Sequence, residues 1–420
     1  MMHCLWLTLA DPDPATNGQL IYSKGLIEAT RDAGAMLRVI GLARRESPRS
    51  VCKLLGIDWQ LADEQVQSPW RRQLSPVPVV AHRGNAPDMK RLLDQALAER
   101  SWDAIVFDSL SSGWALRAVA RHCRQSLRPP RVVYLSHNHE VTVARRIVKE
   151  ARGLRRVAKA IDYLKVRRLE RWLVAAADLV TSNTPDDCRR FAAGAKGRSI
   201  VFLPPGYGGP RIAARTIDDS VPRRAILVSS LDWPPKRAAV EAFLATATAM
   251  LAREGVELQV VGEAEPAYLE TLRRRFPSVD FVGRVDDVRP YMRQARLALV
   301  PDLLGGFKLK GLDYVFNRLP ILAMRIALPG MPLEEGTNIG LYDSHAALAD
   351  GVVELIDDFP RLNAWQAAAY DACADRFDWL RIGHHLVQHI HKAERLSPTA
   401  RRDASTFAAA SRSAHVAAGR

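Results

Sequence analysis

The segment from Pro301 to Ile321, P-D-L-L-G-G-F-K-L-K-G-L-D-Y-V-F-N-R-L-P-I, gathers residue types that bind phosphate. It follows an apolar run at residues 297–300 that reads as a buried parallel strand. Gly305 and Gly306 let the backbone turn tightly and approach a ligand. The pattern predicts a helix over residues 307–316, with Phe307 at its start and Lys308 and Lys310 in its first turn. Free amides at a helix start, a positive dipole end and two ammonium groups suit a diphosphate. Asp313 lies about one turn further on and can accept hydrogen bonds from a ribose diol. Such a set fits a nucleotide-sugar site. Taken alone, the segment describes an ordinary strand–loop–helix with solvated lysines equally well.

Three other loops carry chemistry. Asp11 to Gln19, with Asn17 and Gly18, follows the first predicted strand, where a doubly wound domain binds its ligand. It lacks the glycine fingerprint of a dinucleotide site and the G-K-S/T of a P-loop, but admits a sugar acceptor or a phosphate. Tyr134 to Glu140 closes another strand and brings His137, Asn138, His139 and Glu140 together. On an extended strand His137 and His139 share one face at a spacing that suits a metal, but no third ligand is visible and no metal is expected. Ser229 to Arg237, containing Asp232 and Lys236, ends in two cations at a helix start, within reach of a diphosphate. Gly283, Arg284 and Val285 end a further strand and offer backbone contacts to a nucleobase.

The elements that must position these loops alternate. Strands are expected at residues 5–9, 36–42, 104–107, 132–136 and 179–181, with residues 77–81 an edge strand at best because of Pro78. A second set follows at 225–229, 258–261, 281–282, 297–300 and 320–323. Helices separate most of them, which means βαβ units and parallel sheets. The fold class is α/β: two doubly wound, Rossmann-like parallel-sheet domains facing a cleft. The Pro/Gly cluster at 204–210 is the natural linker. Expected domains are residues 1–205, 206–376, a helix crossing back at 377–396 and a disordered tail at 397–420.

The chain has 420 residues, 48% hydrophobic and 25% charged, with a formal net charge of +14. That surplus points to an acidic partner: a phosphate-bearing substrate, nucleic acid or an anionic membrane. Residues 141–175 hold eleven Lys/Arg against three acids, a surplus of eight. Ile147, Ala151, Leu154, Ala158 and Ile161 recur there at helical spacing, which predicts one buried stripe and a basic remainder able to lie on anionic lipid. Few aromatics interleave with these cations, so nucleic acid is not expected. Five scattered cysteines without a C-x-x-C pair suit a reducing, cytoplasmic setting, and no apolar run is long enough to span a membrane.

Read together, these motifs resemble a GT-B glycosyltransferase of the large retaining family numbered 4, over residues 5–380. The carriers are the Gly18 loop, H-N-x-E at His137 to Glu140, L-P-P-G at 203–206, S-L-D-W-P-P at 230–235, F-V-G-R-V at 281–285 and G-G-F-K-L-K-G-L-D-Y at 305–314. The resemblance implies a nucleotide-diphosphate sugar as substrate, no separate cofactor, no metal, and a hydroxyl acceptor in the first domain. It places Asp313 on the ribose, Lys308 and Lys310 in the phosphate-facing turn, Gly283 to Val285 on the base and His137 near the transferred sugar. Gly305 departs from the family, which has a glutamate there; the lysines make this a lysine-rich variant of the motif. A polysaccharide or lipid-linked acceptor at the inner face of a membrane is the expectation drawn from the basic helix. The rivals are a sugar-nucleotide epimerase on the same architecture and a non-catalytic basic module that binds nucleic acid or lipid.

Overall fold

The computed structural model describes residues 1–44, 56–64, 75–195, 197–232, 234–304 and 306–396. Gly305 and the 397–420 segment therefore lie outside the described residues. Two compact units result: Met1–Pro205 together with the chain from Trp379, and Gly206–Asp378.

In the first unit the described strands are β1 (Met2–Ala10), β2 (Ala35–Ala43), β3 (Ile57–Asp63), β4 (Ala104–Asp108), β5 (Arg131–Ser136), β6 (Leu179–Ser182) and β7 (Ser199–Phe202). They form one parallel sheet in the order β3-β2-β1-β4-β5-β6-β7. Its central strands are apolar on both faces because helices cover both. Successive residues alternate between two cores. Leu5, Leu7, Ile105 and Phe107 enter one, and Cys4, Trp6, Val106 and Val133 the other. The last helix, Trp379–Lys392, places Ile382, Leu386 and Ile390 in the second core beside Leu26 and Ile27 of the first helix, Gly18–Asp32. The two helices approach so closely that a Cβ on Gly383 would lie 2.0 Å from the Ala29 carbonyl oxygen.

The second unit holds β8 (Arg224–Val228), β9 (Glu257–Val261), β10 (Val279–Gly283), β11 (Leu297–Val300), β12 (Ile321–Met324) and β13 (Gly340–Tyr342), ordered β10-β9-β8-β11-β12-β13 and again parallel. In both sheets the strand order reverses direction once, between β1 and β4 and between β8 and β11. A crevice opens at such a switch point, beyond the carboxyl ends of the strands. The loops after β1, β4, β8 and β11 are therefore the ones positioned to hold ligands.

Three local expectations need correction. Residues 77–81 are not a strand: Pro78 takes φ −62° at the start of the short helix Val79–His82, where its carbonyl accepts from the Ala81 and His82 amides. The Val79 amide donates to Asp162 at 2.8 Å, and β3 occupies the sheet edge instead. The helix after β11 starts at Leu309, with Lys308 extended at its cap. Residues 141–175 form two helices, Glu140–Glu150 and Gly153–Ala176, divided where Gly153 adopts φ 56°. The break destroys the single stripe. Ile147 is only half-buried, and Leu154 and Ile161 are exposed.

Candidate active site

At the switch point of the second unit, the chain leaves β11 as Pro301-Asp302 and turns through Gly306, whose φ of 98° favours glycine. It then enters the helix Leu309–Phe316, whose start no side chain caps. This helix is bolted to the neighbouring strand: the Tyr314 hydroxyl accepts from the Val228 amide at 2.8 Å. Gly311 packs so tightly that a Cβ there would sit 2.6 Å from the Met331 sulfur. Its side chains are thus held at the ends of β8 and β11.

Asp302, which the sequence reading did not single out, is the centre of the cluster. It is buried, and Lys310 Nζ donates to its Oδ2 at 2.6 Å. Burial alone would raise the Asp302 carboxyl. The fields of Lys310, Lys308 and Lys236 outweigh it and hold the group below the usual carboxylate range. Lys308 Nζ lies 3.3 Å from the Gly306 carbonyl oxygen. Burial pushes Lys308 down to about 8, with Lys310 and Lys236 adding to the fall and Asp302 opposing it. Lys236, at the start of the helix Pro234–Arg253, is lowered by burial and by Lys310. Three lysines from two switch-point loops therefore surround one carboxylate. Its only sequence signal was an aspartate at a strand end, eight residues before Lys310.

Asp313 faces a different neighbour. Burial raises its carboxyl to about 6, opposed by a hydrogen bond from Tyr207. The Tyr207 ring stacks on Phe316 with centroids 4.6 Å apart, and Asn317 Nδ2 donates to the Asp313 carbonyl at 2.8 Å. Phe307 packs at a tilt on Phe377. Gly283 takes φ 88° and its carbonyl accepts from Gly262, while a Cβ on Gly262 would meet the Ser229 carbonyl oxygen at 2.1 Å. The ends of β8, β9 and β10 are thereby drawn together. Arg284 is exposed and pairs with Glu263 at 3.1 Å, Val285 is half-buried, and Asp232 accepts from Ser230 Oγ at 2.8 Å.

In the first unit, Asn17 caps the first helix by accepting from the Gln19 and Leu20 amides at 3.1 Å, with Gly18 as its first residue. Asn17 also lines a cavity of about 420 Å³ with Thr16, Ser23, Arg44, Glu64 and Arg83. His137 is buried beyond the end of β5, and its Nε2 lies 2.6 Å from Asp108 Oδ1 at the end of β4. Asp108 also accepts from Trp6 Nε1 at 3.1 Å; despite burial, His137 holds its carboxyl low. The other ring nitrogen, Nδ1, is buried with no hydrogen-bond partner among the described residues. Asp108 is a second residue the sequence reading missed.

The shared face expected for His137 and His139 does not form. β5 ends at Ser136, and His139 turns away to Thr142 Oγ1 at 2.7 Å and to the edge of Phe191. No cluster of three metal-ligating side chains occurs among the described residues. Asn138 Nδ2 reaches Glu140 at 3.4 Å, and burial raises the Glu140 carboxyl. Glu170, from the following helix, accepts from the Glu140 and Val141 amides at 2.8 and 3.2 Å and fixes this loop.

Residues 222–358 match the family model described as glycosyl transferases group 1. The match takes in Lys236, Gly283 to Val285, Asp302 and the helix bearing Lys310 and Asp313. No curated protein matches the sequence. Among solved structures, sucrose-phosphate synthase from Thermosynechococcus elongatus is similar at TM-score 0.71 and 16% identity, over 93% of this chain and 99% of that one. WaaG, a glycosyltransferase involved in lipopolysaccharide biosynthesis, gives 0.63 and 16% over 93% and 100%. Anabaena HepE, solved with UDP and glucose, gives 0.60 and 17% over the same shares. At these identities the likeness is one of fold, GT-B, built from two doubly wound domains. Family match and fold together support a sugar-transferring enzyme.

Proposed function

We propose that the protein is a glycosyltransferase that moves a sugar from a nucleotide-diphosphate sugar to a hydroxyl acceptor, with retention and without a metal. The observation that carries this reading is the cluster of Lys236, Lys308 and Lys310 around Asp302, at the switch point of the second unit. Three ammonium groups against one carboxylate leave two positive charges, which balance the two negative charges of a diphosphate diester. Glycosyl transfer builds negative charge on the leaving diphosphate. Preorganised cations there act more strongly on the transition state than on the ground state.

In this reading Asp313 holds the ribose, Gly283, Arg284 and Val285 meet the base, and Gly306 and Phe307 shape the turn beside the phosphates. Asp232 and Lys236 close the site from the β8 loop. The leaving phosphate oxygen takes the acceptor's proton on the face it departs from, which retains configuration. Asn17, Gly18, Asn138 and Glu140 receive the acceptor, and His137, oriented by Asp108, supports charge at the reacting hydroxyl. The acceptor belongs to a cell-surface polysaccharide or glycolipid, met at the inner face of a membrane. HepE's complex with UDP makes UDP the first nucleotide to try.

Thermal unfolding with a panel of nucleoside diphosphates, with and without magnesium, tests this reading. A ligand bound only by the folded state, at about 100 times its Kd, adds about 2.7 kcal/mol. The expected result is a metal-independent shift with one nucleotide, lost in Lys310→Ala and Asp313→Asn. No shift with any nucleotide would count against the donor site.

A further inference from the structure

The helix Gly153–Ala176 bears an apolar stripe that the other described residues leave exposed. Leu154, Val157, Ile161 and Leu164 are 90%, 58%, 51% and 60% exposed. Their spacing of three or four residues puts them on one face. Continued toward the helix end, the same face brings Lys165, Arg168 and Trp172 to a cavity of about 650 Å³. Leu93, Trp114 and Leu169 give that cavity an apolar floor. Lys90, Arg117, Arg121 and Arg124 join Lys165 and Arg168 around it, against Asp94.

Cations flank the stripe. Arg156 and Arg167 fall about 100–120° around the helix from its centre and are exposed. Of the three acids in residues 141–175, Glu170 is buried and its carboxyl is pushed up to about 8 by desolvation, and Glu150 is paired with Arg146 at 2.9 Å. Asp162 accepts the Val79 amide. Exposed apolar residues in a row, rimmed by cations, mark an interaction surface.

Three occupants can be weighed by their chemistry. A second copy would bring the same cations against these. Nucleic acid would match the charge and leave the leucines unpaired. An anionic bilayer satisfies both, because acyl chains take the stripe while headgroups meet the cations. We propose that this face of the helix Gly153–Ala176, with the cavity it leads into, docks the protein on an anionic lipid bilayer. The inference rests on the membrane placement in the proposed function and not on the nucleotide site.

Flotation of the full-length protein with phosphatidylcholine vesicles, with and without phosphatidylglycerol, tests it. The expected result is binding to the anionic vesicles that weakens as salt is raised, and little binding to phosphatidylcholine alone. Leu154→Ser with Ile161→Ser should weaken binding about tenfold or more, and Arg156→Gln with Arg167→Gln should reduce both affinity and salt dependence. All four positions are exposed, so the fold should survive, and the nucleotide-induced thermal shift should stay at the wild-type value. Unchanged vesicle binding in the serine variant would overturn the proposal. So would a dimer in gel filtration that the serine variant disperses, or tight RNA binding without vesicle binding. Vesicle binding in a protein that shows no nucleotide shift would support this surface while counting against the donor reading.

Discussion

Lys308 and Asp313 set a pH window for donor binding, because one must be protonated and the other ionised. Lys308 titrates in the fold near about 8 and Asp313 near about 6. A nucleotide sugar carries a diphosphate diester that does not itself titrate in this range, so it is the right probe. Its affinity should rise through about pH 6, hold, and fall above about pH 8, measured by calorimetric titration. Asp313→Asn should flatten the lower limb. Asp302 opposes the lowering of Lys308, so Asp302→Asn should move the upper limb to lower pH, provided Lys310 remains in the site. Asp108→Asn breaks a buried charge-assisted pair and should cost about 3 kcal/mol in chemical denaturation. Lys308 and Lys310 were legible in the sequence because they lie in one short motif. Tyr207, which donates to Asp313 from 106 residues away, was not, since no local pattern records a tertiary partner. Asp302 and Asp108 escaped for a related reason: a lone aspartate at a strand end acquires a role only from what faces it.

The elements show where pattern reading works and where it stops. The central strands β1, β2, β4, β5 and β11 were read from their apolar runs, because a parallel strand buried on both faces has little choice of residue. Edge strands carry a weaker signal. β3 reads I-D-W-Q-L-A-D, and β13 is three residues long, so both were missed. The stripe at 147–161 failed because periodicity was carried through Ala151 to Gly153, where the backbone turns. Two element-scale predictions follow from packing. Gly383→Ala sets a methyl against a backbone oxygen 2.0 Å away and should destabilise the protein by about 2–3 kcal/mol, read from the denaturation midpoint. Glu170 has its folded value raised to about 8, far above that of an unfolded glutamate. Between about pH 4.5 and 8 the folded state keeps a proton that the unfolded state releases, so stability falls as pH rises. Glu170→Gln removes that pH dependence, but its single amide oxygen can accept from only one of the two amides, which bond different carboxylate oxygens. Its melting temperature relative to wild type should be lowest near pH 4.5 and rise toward pH 8.

For the molecule as a whole, two parallel sheets were legible from the alternation of strands and helices; the strand order the two sheets share came from the structure. Repeated architecture also explains why the chemistry collects at corresponding places: each switch point offers loop ends that the sheet itself cannot cover. Much of the net charge of +14 lies in two places of different character, a half-buried lysine cluster and an exposed basic helix. The first is the basis of the proposed catalysis, and release of nucleoside diphosphate from a panel of nucleotide sugars, with water as the acceptor, measures it most directly. The account predicts slow release from one donor, undiminished by EDTA, and a fall of about 10²-fold or more in Lys310→Ala. Cleavage of no donor, or Lys310→Ala releasing nucleotide at the wild-type rate, would contradict it.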